Sequence, residues 1–317
     1  MTRTESKHLI FDKPERITVK TPFKRFKNFI KASLYKTAMY FSRPKRKETA
    51  PYKVSVCAIF KNEAKYLKEW LEYHKIVGVE HFFMYNNNSE DDYLNVLTPY
   101  IKDGTVTLID WQKNQAQMEA YEDCIEKYAL STEWLGFLDI DEFVVPKKDN
   151  DVYSFLKNFS NRPAVMIYWK VFGTSGKIIR DERIPVTEDF TVCWNKYVNI
   201  GKCFFNTKYN FAKNAAEGLH HSFKTRIGGM TVPPVNLFDK VAFEDRHIVK
   251  TDDFPIQINH YFTKSFNEYV EKKSKGDVYF KVNPHDEEYF YIHEQKCGAT
   301  DYCAYKYLIK LKKALEK

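Results

Sequence analysis

Apolar and polar positions follow one another in a regular order from residue 54 to residue 138. Val54-Ser55-Val56-Cys57-Ala58-Ile59-Phe60 is a short, nearly continuous apolar run, the pattern of a strand buried on both faces. Glu63 to Val77 then sets Leu67, Trp70, Leu71 and His74 at helical spacing, and after Gly78 the run His81-Phe82-Phe83-Met84-Tyr85 predicts a second strand. Asp91 to Tyr100 suits a helix, Val106 to Trp111 a strand after the Asp103-Gly104 turn, Gln115 to Tyr128 a helix, and Trp134 to Leu138 a further buried strand. This order predicts an α/β protein with a central, mainly parallel, doubly wound sheet flanked by helices. Ligands of such sheets bind beyond the carboxyl ends of the strands.

The regularity stops at both sides of this stretch. Beyond Pro146 come aromatics, glycine-containing loops and short strand-like runs at Ala164 to Val171 and Phe254 to Tyr261, so the second half reads as α+β. Before Pro51 the chain is rich in Lys and Arg. Residues 1–50 hold fourteen Lys/Arg against four Asp/Glu, a balance of +10 within a total of +8, which leaves residues 51–317 nearly neutral. The organisation expected is a basic amphipathic arm at 1–50, a catalytic domain at 51–300 and a basic C-terminal helix at 301–317.

Phe23, Phe26, Phe29, Ile30, Leu34 and Phe41 are set among the cations of residues 21–47, and a helix there would carry an apolar stripe beside a basic face. That is how a protein lies on an anionic membrane, and a helix packed on the domain or a solvated linker accounts for the pattern equally well. Tyr302 to Leu315 is a second basic amphipathic segment, suited to dock the first. Nucleic acid is not the expected partner, since the basic residues stop where the folded domain begins. No apolar run approaches the roughly 18 to 20 residues of a membrane span, and the first residues lack the apolar centre of a signal peptide. The expected location is therefore the cytoplasm, with peripheral attachment to the inner face of the membrane. Cys57, Cys124, Cys193, Cys203, Cys297 and Cys303 show no CxxC spacing, which predicts reduced thiols rather than structural zinc or a disulfide scaffold.

The chemistry most visible in the sequence is Leu135-Gly136-Phe137-Leu138-Asp139-Ile140-Asp141-Glu142-Phe143, a buried strand that ends in acidic residues. Side chains two apart on an extended segment point to the same side, so a divalent cation could engage Asp139 and Asp141 and use its open positions for phosphate oxygens. A solvated turn with an Asp helix cap is the other reading of the same residues. No GxGxxG, Walker A, GxSxG or HExxH pattern offers a competing cofactor or hydrolase chemistry.

Together with Val56-Cys57-Ala58-Ile59-Phe60-Lys61-Asn62-Glu63, Glu69-Trp70-Leu71-Glu72-Tyr73-His74 and Tyr85-Asn86-Asn87-Asn88-Ser89, this acidic segment resembles a GT-A (Rossmann-like) nucleotide-sugar glycosyltransferase. More narrowly, the chain resembles glycosyltransferase family 92 and its bacterial relatives. Trp169 to Gly176, His220-His221 and Asn259 to Ser265 extend the likeness over about residues 52–276. The resemblance implies inverting transfer of a hexose from a UDP-sugar, UDP-galactose among the candidates, to a saccharide or glycolipid acceptor in surface polysaccharide synthesis. A divalent Mn2+ or Mg2+ ion would sit on the donor diphosphate.

Carried onto this sequence, the resemblance makes Asp139 a donor contact and metal ligand, Asp141 the principal metal ligand and His260 a second one. Lys61, Asn62 and Glu63 in the first βα loop would meet phosphate, base or ribose. Asn86 and Asn87 would contact the nucleoside, although relatives more often carry Asp at the place of Asn86. His221 and Lys264 could meet the diphosphate, and a neutral structural pair accounts for His220-His221 as well. Thr187-Glu188-Asp189-Phe190 lies between the glycine loop and His260, where such enzymes place the base. Glu188 is the first choice and Asp189 its substitute. A noncatalytic nucleotide-sugar-binding scaffold and a nucleotide-sugar hydrolase are the rival functions.

Overall fold

The apolar run at 54–60 is buried from end to end because its strand, β1 (Tyr52–Phe60), has parallel neighbours on both edges. They are β2 (His81–Asn86), with β3 (Val106–Asp110) beyond it, and β4 (Thr132–Phe137). The computed structural model describes residues 9–10, 21–42, 49–113, 116–209, 224–227, 229–242, 253–274 and 286–316. The sheet continues with β5 (Glu142–Pro146), β6 (Ala164–Val171), β7 (Gly201–Asn206), β8 (Val235–Asn236) and β9 (Ile256–His260), in the order β3-β2-β1-β4-β7-β6-β9-β5, with β8 beside β6.

Parallel pairing holds in the first half. In the second, β7 runs antiparallel to both β4 and β6, while β9 is parallel to β6 and antiparallel to β5. The helices are α1 (Thr21–Phe41), α2 (Ala64–Ile76), α3 (Tyr93–Lys102), α4 (Gln117–Tyr128), α5 (Val152–Leu156), α6 (Val186–Asp189), α7 (Phe266–Ser274), α8 (Glu287–Gln295) and α9 (Tyr305–Leu315). This mixed, mostly parallel sheet flanked by helices is the architecture expected of a GT-A protein. Each strand and helix expected between residues 54 and 138 is present to within two residues at either end.

The reversed direction of β7 has a local consequence. Phe204 pairs with Gly136, so Lys202 lies level with the point where the chain leaves β4. The approach of β7 to β6 is close enough that a Cβ on Gly201 would come within 1.8 Å of the Ile167 carbonyl oxygen, and only glycine fits there.

Helix α2 is amphipathic, and its inner face fixes the strand ends rather than merely covering them. The Trp70 indole N–H is shared between the carbonyls of Asp139 and Glu142, at 3.1 and 2.9 Å. One turn on, the buried His74 donates from Nδ1 to the Trp70 carbonyl at 2.8 Å and accepts at Nε2 from the Val144 N–H of β5 at 3.3 Å. That pair of bonds needs a neutral imidazole, and burial pushes its pKa down to about 3. The neutral form is favoured by folding, so its stabilisation is complete above the unfolded value near 6.5 and is lost as the pH falls toward the folded value. The expected result is a stability gap between wild type and His74→Gln that narrows by up to about 1.4 kcal/mol per pH unit below pH 6.5, read from urea midpoints. A gap independent of pH would show that His74 does not titrate on unfolding.

The two terminal basic helices dock in different places. Helix α9 lies on α2 and α6, with Tyr307 and Leu311 buried in the main core and Lys68 Nζ donating to the Leu315 carbonyl at 2.8 Å. Helix α1 is held by the buried Met39, by a 2.9 Å ion pair from Lys36 to Asp239, and by the Tyr209 hydroxyl on the Met39 carbonyl. The C-terminal helix thus contributes to the main core, while α1 is held at Tyr209 and Asp239. The six cysteines are unpaired thiols, four of them buried.

Candidate active site

Register brings three loops to one edge of the sheet. Phe60 of β1 pairs with Asn86 of β2, and Cys57 with Phe137 of β4, so residues 61–63, 87–89 and 138–141 emerge side by side. The first two loops are laced together. Asn62, in the left-handed region at φ 55°, donates its N–H to Ser89 Oγ at 3.0 Å and accepts at Oδ1 from the Glu90 N–H at 2.8 Å.

Asn86 is occupied in the same way. Its amide donates to the Tyr93 hydroxyl and to Asp110 Oδ1, at 2.9 and 3.1 Å, and accepts from the Ser89 N–H at 2.9 Å. A carboxylate at this position would face that of Asp110 across the strand pair, which is a physical reason for an amide here. Asn87 donates to the carbonyls of Trp111 and Lys113, at 2.8 and 2.7 Å. The structure therefore gives the side chains of Asn62, Asn86 and Asn87 a loop-tying role. Lys61 is the first residue past β1.

The acidic segment is a turn, not an extended strand. β4 ends at Phe137 and β5 begins at Glu142, and the Glu142 N–H closes on the Asp139 carbonyl at 3.0 Å. In return the Asp139 N–H donates to Glu142 Oε2 at 2.9 Å. The period-two expectation therefore fails, and the two aspartates have separate partners. Asp139 accepts from Lys202 Nζ at 2.7 Å, Gln117 Nε2 at 3.1 Å and the Tyr121 hydroxyl at 3.4 Å. Asp141 accepts from Lys272 Nζ of α7 at 2.5 Å on Oδ2, and its Oδ1 faces His260 Nε2 at 3.6 Å.

Electrostatics sharpens this division. Lys202 is wholly buried; burial opposes its charge, but Asp139 and Glu142 hold its pKa above the ordinary value. Burial drives the Glu142 carboxyl well up against the opposing pull of Lys202, and Asp139 makes the shorter contact to the lysine, 2.7 against 3.6 Å. Burial would also raise Asp141, yet Lys272, His260 and Lys264 keep it well below the usual carboxylate range. His260 is pushed down to about 4 by burial, despite Asp141, and so is a neutral imidazole near pH 7. Its ring packs on Trp169, with centroids 4.6 Å apart. Lys264, at φ 50°, lies 4.3 Å over the Tyr66 ring and has its pKa lowered by burial.

The donor chemistry fits a divalent cation. A carboxylate oxygen and a neutral imidazole nitrogen face one another, two ligands of the kind Mg2+ or Mn2+ accepts, the imidazole favouring Mn2+. Among the described residues no group of three or more His, Cys, Asp or Glu gathers to hold a metal, so the remaining positions would belong to diphosphate and water.

Glu188 and Asp189 lie on α6, whose position is set from α2. Glu69 accepts from the N–H groups of Val186 and Thr187 at 2.7 and 3.0 Å and from the Thr187 hydroxyl at 3.0 Å. Glu188 turns to the C-terminal helix: Lys312 meets its carboxylate at 2.7 Å, and the Tyr305 hydroxyl donates to its carbonyl. Asp189 is more deeply buried and pairs at 3.0 Å with Lys177, in the loop that leaves β6 beside His260. Glu188 Oε2 and Asp189 Oδ2 are both buried without a hydrogen-bond partner among the described residues. That loop is rigidly held, with Thr174 donating twice to Glu294 and Ser175 Oγ accepting from the N–H groups of Thr191 and Val192.

The family model described as glycosyltransferase family 92 matches residues 50–289. The chain belongs to glycosyltransferase family 92. A family 92 protein of Oryza sativa subsp. japonica is 34% identical over 117 residues, which are 36% of this chain and 20% of that protein. Galactan beta-1,4-galactosyltransferase GALS1 of Arabidopsis thaliana is 23% identical over 192 residues, 52% of this chain and 38% of that one. Beta-1,4-galactosyltransferase galt-1 of Caenorhabditis elegans is 31% identical over 109 residues, 30% of this chain and 26% of that protein. The matched part is thus about a fifth to two-fifths of the length of these relatives.

Within this family 92 domain, Asp141, His260 and Lys264 come together, with Glu63 close enough to bear on Lys264 and Lys272. Asp139 stands on the Lys202 side of the same turn. His221 lies outside the described residues. Lys272 and Lys202 were absent from the sequence candidates. Lys202 left a signal, a lysine inside the apolar strand Gly201-Lys202-Cys203-Phe204-Phe205, where a cation must be paired to be buried. Lys272 left none, because Glu271-Lys272-Lys273 reads as the solvated face of a helix.

Proposed function

We propose that this family 92 domain transfers a hexose, with inversion, from a UDP-sugar of the galactose class to a saccharide or glycolipid acceptor in surface glycan assembly. The observation that carries the reading is the convergence of Asp141, His260, Lys264 and Lys272 at the carboxyl ends of the strands. Asp141 and His260 would hold a divalent ion, which when bound supplies neutralising charge to the leaving diphosphate. Lys264 and Lys272 add two further cations on the same side, the first buried and the second partly open to solvent, and burial strengthens the field of Lys264. As the anomeric C–O bond to phosphate breaks, the acceptor oxygen bonds to the anomeric carbon from the opposite face and its proton passes to a carboxylate.

For that base we favour Asp189 over Glu188. Asp189 is the more deeply buried and is tied to the loop beside His260, whereas Glu188 is tied to α9. The test is a panel of UDP- and GDP-sugars with Mn2+ or chelator, with and without mixed oligosaccharide acceptors. Metal-dependent transfer is expected, with Asp189→Asn slower by on the order of a hundredfold and Glu188→Gln within about twofold of wild type, donor affinity unchanged in both. Saturable donor binding without turnover would favour a scaffold, and acceptor-independent cleavage alone a hydrolase. Loss of activity in Glu188→Gln with a normal Asp189→Asn would move the base by one residue.

A further inference from the structure

Helix α1 meets the domain along a mixed polar and apolar face and leaves its more apolar side uncovered. Thr21, Arg25, Asn28, Ala32, Tyr35 and Met39 recur at heptad spacing and, with Lys36 and Ala38 beside them, are the buried or half-buried positions. On the opposite side Phe23, Phe26, Ile30, Leu34 and Phe41 stand in a stripe open to solvent, Phe23 at 73% and Phe41 at 79% exposure. Five aromatic and aliphatic side chains in one row are not what a solvated helix shows.

The same helix holds Lys24, Arg25, Lys27, Lys31 and Lys36 and no acidic residue, and the sequence runs on into Arg43-Pro44-Lys45-Arg46-Lys47. We infer that the outer face of α1 is a docking surface for an anionic lipid bilayer, into whose interface the phenylalanines insert while the lysines meet headgroup phosphates. Charge decides among the occupants. A second copy of the chain would set this all-cationic helix against itself. Nucleic acid would satisfy the cations and leave the apolar stripe in water. An anionic bilayer satisfies both, and a 21-residue helix lying flat offers about 30 Å of contact. No described helix is both long and apolar enough to cross a membrane, and α1, with its cations beside the phenylalanines, suits an interfacial position.

This inference does not depend on the transfer reaction, and its test does not use it. The full chain is sedimented with vesicles of equal parts phosphatidylcholine and phosphatidylglycerol, and with phosphatidylcholine alone. It should bind the anionic vesicles strongly and the neutral ones weakly, and binding should decline but persist in high salt, because salt screens the charges and leaves the apolar insertion. The triple variant Phe23→Ser, Phe26→Ser, Phe41→Ser should lose at least about tenfold in partitioning while keeping the wild-type melting temperature, since these side chains are outside the core. Lys24→Glu, Lys27→Glu, Lys31→Glu should lose the preference for anionic lipid. The inference is overturned if wild type ignores anionic vesicles at low salt, or if the phenylalanine variant binds as well as wild type. It is equally overturned if wild type is a dimer that ignores vesicles and becomes monomeric in that variant, which would give the face to a second copy.

Discussion

Asp141→Asn should lower kcat/KM for sugar transfer by about three orders of magnitude, roughly 4 kcal/mol of transition-state stabilisation. The substitution keeps the shape of the side chain and removes the carboxylate that, among the described residues, meets both His260 and Lys272. Two effects add. A divalent ion held there would lose its anionic ligand, and the buried Lys264 and the half-exposed Lys272 lose the nearby negative charge of Asp141. Titration of UDP with and without Mn2+ should show the metal enhancement of donor binding disappear in the variant. Adding Lys272→Met to Asp141→Asn separates the two, because the double variant should regain most of the melting temperature and none of the activity. Activity within about threefold of wild type in the single variant would place the metal elsewhere.

Lys202→Met carries the largest expected effect on stability, a loss of about 3–5 kcal/mol. The lysine is wholly buried, 2.7 Å from Asp139 and 3.6 Å from Glu142, and its removal leaves two acidic groups beside an apolar side chain. In a domain of this size the melting temperature should fall by about 6 to 12 °C in calorimetry. Neutralising the partner tests the cause: Lys202→Met with Asp139→Asn should recover more than half of the loss, since breaking one side of a buried pair costs more than replacing both. Equal melting temperatures for the single and double variants would mean that the lost packing of the lysine stem, not the unpaired acid, sets the effect.

Elements were legible where periodicity is set by two-sided burial. Val54 to Phe60 could be read as a strand because parallel partners on both edges leave no polar face. Glu69 to His74 carried the resemblance to the family, and the reason is architectural: Glu69 holds α6, Trp70 the acidic turn and His74 the strand after it. What stayed hidden depends on direction and on reversal. Nothing in Gly201 to Asn206 says that the strand runs antiparallel, and that alone brings Lys202 to Asp139. Asp139 and Asp141 were found as a pair but assigned to one side, because spacing of two implies a common face only in an extended segment and the chain turns between them. Sequence order alone does not separate Glu188 from Asp189, because the helix that meets the Glu188 carboxylate starts more than a hundred residues later.

The three consecutive duties of α2 also bear on transplantation. A designer who copies Asp141, His260, Lys264 and Lys272 onto a host sheet would copy the residues proposed to meet the ligand and leave behind the frame that aims them. Within six residues, Glu69 to His74, one helix face grips the segment bearing the proposed base, the turn bearing the acids and the strand that pairs with His260. The smallest portable unit is therefore a helix together with two pieces of chain that are distant from it in sequence.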